Sequence, residues 1–178
     1  MANPKIALLG AAGMLGTEVA AELAQKGIAF DSLDLPDFDI TDASQLQRVA
    51  DDSRIIINCA AYTDVEKAES QRDLAFKVNA EAVGRLGALA KKTGAYVIHI
   101  STDFVFDGTS GRPYVETDAP NPINIYGKSK LAGERLLVES GCDNCIMRVE
   151  WTYGRSGNNF VSKKPSRLYI APLLNLGR

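Results

Sequence analysis

The run "GAAGMLG", Gly10 to Gly16, constrains this chain more than any other segment. It follows the short apolar stretch Lys5 to Leu9 and leads into a pattern whose apolar residues recur at helical spacing until Gly27 stops them. A strand that turns into a helix over three glycines needs backbone without Cβ atoms at close approach. It also leaves the first N–H groups of the helix pointing out of the turn. Gly10, Gly13 and Gly16, with Met14 and Leu15 among them, therefore predict the first strand, turn and helix of a βαβ unit, with N–H groups that can hold a pyrophosphate. The spacing is GxxGxxG rather than GxGxxG, so the rest of the chain has to agree before the motif carries weight.

It does agree in its alternation. A second strand is expected in "IAFDSLD", then a helix in "DITDASQLQRVAD" capped by Thr41 or Asp42. "RIIINCAA" is a β-branched run suited to a strand buried on both faces of a parallel sheet. Helical spacing returns from Arg72 to Lys92 and ends at Gly94. A fourth strand follows in "AYVIHIS", a helix opened by Tyr126 reaches about Ser140, and "CIMRVEW" reads as a fifth strand. This order predicts an α/β, doubly wound parallel sheet of Rossmann type, with right-handed crossovers and helices on both faces. In such sheets ligands bind beyond the carboxyl ends of the strands, which singles out Gly10 to Gly16, Asp34, Cys59 to Val65, Ser101 to Asp103, and Trp151. Asp34, eighteen residues after Gly16, is either an acceptor for the ribose hydroxyls of a dinucleotide or a turn residue before Pro36.

A length of 178 residues suits one compact domain. The net charge of -2 and 24% charged residues give no basic excess for nucleic acid, and no apolar run reaches membrane-spanning length. The start "MANPKIALLG" lacks a cleavage site, and the three cysteines, Cys59, Cys142 and Cys145, form no disulfide framework, so a cytoplasmic protein is expected. The pair Cys142-x-x-Cys145 has no second pair, and His99 is alone in an apolar strand. Both read as structural rather than metal-binding.

"YGKSK" places Tyr126 and Lys130 four residues apart on one helix face, so the ammonium can sit beside the phenol. A solvated helix surface gives the same spacing. A free phenol, with a pKa of about 10, is a poor proton source at neutral pH, and a neighbouring ammonium would bring it closer.

Several motifs in order, "LLGAAGMLG", "DITD", "NCAAYTDVEKAE", "FKVNAEAVGRLGALA", "HISTDFVFDG", "YGKSKLAGE" and "RVEWTYG", span roughly residues 5 to 160. Together they resemble the extended short-chain dehydrogenase/reductases and, within them, the dTDP-4-dehydrorhamnose reductase family. The resemblance implies NADPH or NADH as cofactor and a dTDP-sugar as substrate, whose 4-keto group is reduced in dTDP-rhamnose formation. It implies Tyr126 as the acid, Lys130 as the residue that lowers its pKa and holds the nicotinamide ribose, and Thr102 as the hydroxyl that polarises the carbonyl, with Ser101 as runner-up. By the same resemblance Gly10, Gly13, Met14, Leu15, Gly16, Asp34, Asp39, Ile40, Cys59, Ala60, Ala61, Tyr62 and Asn79 line the cofactor. Thr63, Val65, Ser101, Thr102, Asp103, Phe104 and Trp151 surround the sugar and its phosphates. The family commonly has tyrosine at the position of Phe104, and Trp151 is alternatively a core aromatic. Mg2+ is a further cofactor suggested by the family, without a ligand set located in the chain, and a homodimer is compatible with it.

The resemblance stops after "GRSGNNFVSK", and "KPSRLYIAPLLNLGR" has no family pattern. The expectation is a dinucleotide-binding domain with the catalytic residues over 1–160 and a divergent or truncated tail over 161–178. Such an end would lack most of the family's substrate-binding part and leave apolar sheet surface uncovered. A non-catalytic dinucleotide-binding protein, similar to the methionine adenosyltransferase regulatory subunit, or an inactive fragment, is the alternative to a reductase.

Overall fold

The computed structural model describes residues 5–154. The expected tail over 161–178 lies outside them. Five strands, β1 (Ile6–Leu9), β2 (Phe30–Leu33), β3 (Ile55–Asn58), β4 (Tyr96–Thr102) and β5 (Asn144–Val149), form one sheet in the order β2-β1-β3-β4-β5. Every pairing is parallel. The chain moves outward from β1 to β2, then crosses back to β3 on the other side of β1. The carboxyl ends of β1 and β3 therefore flank the point where the winding reverses, the place where such sheets hold ligands.

The helices are α1 (Met14–Gln25), α2 (Ala43–Asp52), α3 (Val65–Ser70), α4 (Arg72–Phe76), α5 (Ala82–Thr93) and α6 (Ile125–Glu139). Asp42, rather than Thr41, caps α2: its carboxylate accepts from the N–H groups of Ser44 and Gln45. Asn124 caps α6 through the Gly127 N–H, so this helix opens at Ile125, one residue before Tyr126. The helix expected over Arg72 to Lys92 is interrupted by a π-helical segment, Lys77–Glu81, before α5 runs to the left-handed Gly94.

The core joins Ala7, Leu9, Ile56 and Val97 of the sheet to Leu46 of α2, Val83 and Leu86 of α5, and Leu137 of α6. Ile6 and Leu8 alternate to the opposite face and are buried too. β3 departs from the expectation of burial on both faces. Ile56 and Asn58 are buried while Ile55 and Ile57 are only half-buried, because the continuous apolar run meets a full helix layer on one side alone.

The π segment matters to how α6 sits. It presents the Asn79 carbonyl to Gly133, where a Cβ would run into that oxygen and the carbon behind it. Both partners are helix backbone and cannot swing aside. Gly133→Ala is expected to cost roughly 1–3 kcal/mol or more, as overpacking of a rigid contact does, and urea denaturation followed by circular dichroism checks it.

Candidate functional site

The glycine turn forms a cradle at the tip of β1. Gly10 has φ +75°, and a Cβ there would meet the Ala60 nitrogen at 2.5 Å, so the exits of β1 and β3 touch through glycine alone. Gly16 is buried beneath the turn, where a Cβ would strike Gly10 and Ala11. Gly13 is the N-terminal flank of α1 and supplies no side-chain cap, and the first turn carries no acidic residue. The opening N–H groups of α1, at Met14 and Leu15, thus lie at a positive helix end. Asp34 follows β2 and leans over the same turn. Its Oδ2 accepts from the Ala12 N–H at 2.6 Å and its Oδ1 from the Leu35 N–H at 2.8 Å. The Cβ-free cradle and the carboxylate at the next strand tip fit a dinucleotide, with the pyrophosphate at α1 and a ribose at Asp34.

Two further residues expected beside the cofactor have structural partners of their own. Ile40 is 6% exposed and belongs to the core, and Asp39 accepts from the Thr41 N–H at 2.8 Å to close the turn into α2. Both help shape the β2–α2 connection. Cys59 is half-buried, and burial raises its thiol to about 11, which keeps it protonated. Ala60, Ala61 and Tyr62 leave β3 toward α3, and Asn79 clamps this exit. Its Oδ1 accepts from the Tyr62 N–H at 2.8 Å, while its Nδ2 donates to the Tyr62 carbonyl and to Ser129 Oγ, each at 3.0 Å. The fully buried Asn79 amide is therefore spent on holding the loop to α6.

Tyr126, Lys130 and Glu134 form one row along α6. Tyr126 packs edge to face on Phe104, with centroids 5.5 Å apart, and the Thr102 hydroxyl is close enough to lower its pKa. Burial outweighs that effect, with the Asp103 charge adding to it, so the phenol is pushed up rather than down. The expected ammonium beside the phenol is not what the helix builds. The Lys130 side chain, 1% exposed, turns inward: its Nζ donates to the Ile100 carbonyl at 2.7 Å and lies 3.3 Å from His99 Nε2. Burial brings Lys130 down from 10.5 to about 8, against the raising effect of Glu134 and Cys59.

Strand alternation separates Ser101 from Thr102. Ser101 faces inward and donates to Glu134 Oε1 at 2.5 Å, and the Glu134 carboxylate also takes Arg148 of β5, whose Nη2 lies 2.7 Å from Oε2. Thr102, at the strand end, donates to Asp103 Oδ1 at 2.9 Å and stays on the Tyr126 side. Thr63 is exposed and Val65 half-buried at the start of α3. Trp151 is 71% exposed with φ +48°, which removes the reading of it as a core aromatic.

Glu134, Arg148, Ser129, Asn58 and His99 were not singled out as site residues from sequence. The motif "YGKSKLAGE" did contain Ser129 and Glu134, and the polar Asn58 and His99 inside apolar strands were the available signal. Among the described residues no group of three or more His, Cys, Asp or Glu is arranged for a metal ion, so no ligand set for Mg2+ is found there. The three cysteines are free thiols. None of the described helices is long and apolar enough to cross a membrane.

A parallel sheet in this order, a glycine cradle at its switch point and a Tyr-x-x-x-Lys row beside the ends of β3 and β4 define a Rossmann-type protein of the extended short-chain dehydrogenase/reductase class. Within that class the chain belongs to the RmlD substrate binding domain family, whose pattern matches residues 4–168. It is similar to the dTDP-4-dehydrorhamnose reductase of Mycobacterium tuberculosis (strain ATCC 25618 / H37Rv), with 39% identity over 165 residues, 90% of this chain and 54% of the relative. The Escherichia coli (strain K12) dTDP-4-dehydrorhamnose reductase is 43% identical over 163 residues, 88% of this chain and 54% of its own. Among solved structures, dTDP-4-dehydrorhamnose reductase from Bacillus anthracis str. Ames in complex with NADP superposes with a TM-score of 0.86 at 41% identity, covering 90% of this chain and 58% of that one. The chain spans about half the length of the curated relatives it matches.

The buried lysine gives the fold a pH dependence. Between about 8 and 10.5 the unfolded chain binds a proton at Lys130 that the folded protein does not, so stability rises with pH across that window. Denaturant titrations at stepped pH should show this rise, and Lys130→Met should lose it. Glu134→Ala would leave Arg148 unpaired at 25% side-chain exposure, and a loss of roughly 2–4 kcal/mol is expected in the same assay, somewhat under that of a fully buried pair.

Proposed function

We propose that this chain carries the cofactor and proton-donating half of an NAD(P)H-dependent oxidoreductase. The reaction is reduction of the 4-keto group of dTDP-4-dehydro-L-rhamnose to dTDP-L-rhamnose, in the cytoplasm. The observation that carries the reading is Tyr126, a phenol held protonated by burial at the mouth of α6, with the Thr102 hydroxyl beside it and the glycine cradle across the sheet switch point. An acid that serves a reduction must begin the cycle with its proton in place. The names of the similar proteins support the substrate class.

Gly10, Gly13 and Gly16 leave space for the pyrophosphate, the first N–H groups of α1 bind it, and Asp34 takes the adenosine ribose. The nicotinamide supplies a hydride to the keto carbon when bound. Tyr126 gives its proton to the sugar oxygen. Thr102 donates a hydrogen bond to that oxygen and orients it, and Asp103, Phe104, Thr63, Val65 and Trp151 border the sugar side. Asn79 acts by fixing the Tyr62 backbone against α6. Lys130, one helical turn from Tyr126, is proposed to contact the nicotinamide ribose and Tyr126 once it leaves the Ile100 carbonyl.

Calorimetric titration of the folded chain with NADH and NADPH tests the cradle, and absence of binding by both refutes it. Asp34 with Leu35 and Pro36 offers no arginine to a 2′-phosphate, so a modest preference for NADH is expected, and clearly tighter NADPH would overturn that preference. Tyr126→Phe removes only the proton-bearing oxygen. It should leave folding and cofactor affinity nearly unchanged and lower reduction by about 10²-fold or more. Turnover is measured on the chain and on the chain extended with the remaining part of a relative. Near-normal turnover of Tyr126→Phe in an active form refutes the assignment, and cofactor binding without turnover in both forms identifies a binding protein instead.

A further inference from the structure

A line of three polar side chains runs through the sheet to α6, and each is almost fully buried: Asn58 at 0%, His99 at 0% and Lys130 at 1% exposure. Asn58 and His99 are register partners on β3 and β4, so their side chains leave the same face side by side. The hydrogen positions along the line follow from what each group is able to do. The Ala60 backbone N–H can only donate, and it meets Asn58 Oδ1 at 3.1 Å, which settles which way the amide points. The Asn58 Nδ2 group can only donate as well, and it faces His99 Nδ1 at 3.1 Å. Nδ1 is therefore bare. Burial holds His99 well below its usual range, so the ring is neutral and its one proton is on Nε2.

That proton points at Lys130 Nζ, 3.3 Å away. An ammonium has three donors and no lone pair, so it would set N–H against N–H. A neutral amine has a lone pair for the His99 proton and still donates to the Ile100 carbonyl. We propose that His99 is a positioning residue: fixed by Asn58 in the Nε2–H tautomer, it offers its N–H to Lys130 and shifts the balance at Lys130 from the ammonium toward the neutral amine. Lys130 thereby gives up its proton more readily than an ordinary lysine. Keeping it obliges His99 to move its own proton to Nδ1, or the amine to turn away. The other groups facing Lys130 are Glu134, one turn along α6, whose charge favours the ammonium, and Cys59 beyond β3, which does so only as a thiolate. The neutral amine thus depends on burial and on the His99 tautomer together. The functional meaning of this device rests on the reading of Lys130 as a site residue, whereas the tautomer itself does not.

The chain has one histidine, so long-range ¹H–¹⁵N correlation spectra of the labelled protein report a single ring. A protonated Nε2 and a bare Nδ1 are expected from about pH 8 upward, where the folded protein is losing the Lys130 proton, and a protonated Nδ1 there overturns the proposal. Asn58→Asp puts an acceptor beside Nδ1. The ring proton should move to Nδ1, and the Lys130 Cε titration midpoint, followed by ¹³C NMR, should rise by roughly one pH unit or more. A folded Asn58→Asp protein that keeps Nε2–H overturns the proposal. Lys130→Met serves where Asn58→Asp does not fold: the Nε2–H tautomer should survive loss of the amine, and its disappearance there overturns the role given to Asn58. These spectra need neither cofactor nor turnover. An inactive protein with the assigned tautomer refutes the catalytic reading alone, and an active one with Nδ1–H refutes this inference alone.

Discussion

The seat of α6 on the sheet is the contact on which the rest of the site depends. A helix that buries a lysine and a glutamate against a parallel sheet is stable only if each polar atom finds a partner there, since an unpaired buried charge costs several kcal/mol. The sheet provides them in register: His99 and the Ile100 carbonyl for Lys130, and Ser101 with Arg148 for Glu134. From the other side Asn79 reaches Ser129. Among the described residues no buried side-chain polar atom lacks a partner. A slip of one residue along β4 would turn His99 and Ser101 to the wrong face and leave both charges of α6 unmatched. The position of Tyr126 at the mouth of the helix is set by that seam.

Two different devices bring backbone close where the site needs it. At the switch point Gly10 lets the exits of β1 and β3 meet, so the cradle and the loop after β3 share one wall. At the helix interface the π segment pushes the Asn79 carbonyl toward Gly133, and the same distortion aims the Asn79 side chain at Tyr62 and Ser129. A regular helix would carry these residues round at a constant angle. The extra residue in the turn is what lets Asn79 reach the loop and α6 together.

Local features were legible before any fold was known. The five strands, the glycine turn, the αL stop at Gly94 and the doubly wound class follow from periodicity and from residues whose backbone preferences act over a few positions. The short helix α3 and the π segment were not legible. α3 has one full turn and a half to show a pattern, and a π segment arises from packing rather than from propensity. His99 is the instructive case. Alone in an apolar strand it has the look of a packed core residue, and it is buried as such a residue would be, yet it stands between Asn58 and Lys130. Nothing in the order of residues tells that positions 58, 99 and 130 share one line.

The sequence by itself determined the class of fold, the place of the cradle, and the row of Tyr126 and Lys130 on one helix face, because each rests on spacing within single elements or on their order along the chain. Only the tertiary structure decided where that row points. It turned Lys130 away from the Tyr126 phenol toward the Ile100 carbonyl, gave Ser101 to Glu134 and left Thr102 for Tyr126, moved Ile40 into the core and exposed Trp151. The physical reason is that a buried charge takes whichever partner the neighbouring strand offers within about 3 Å, and the cost of leaving it unpaired exceeds any preference carried by spacing along the helix.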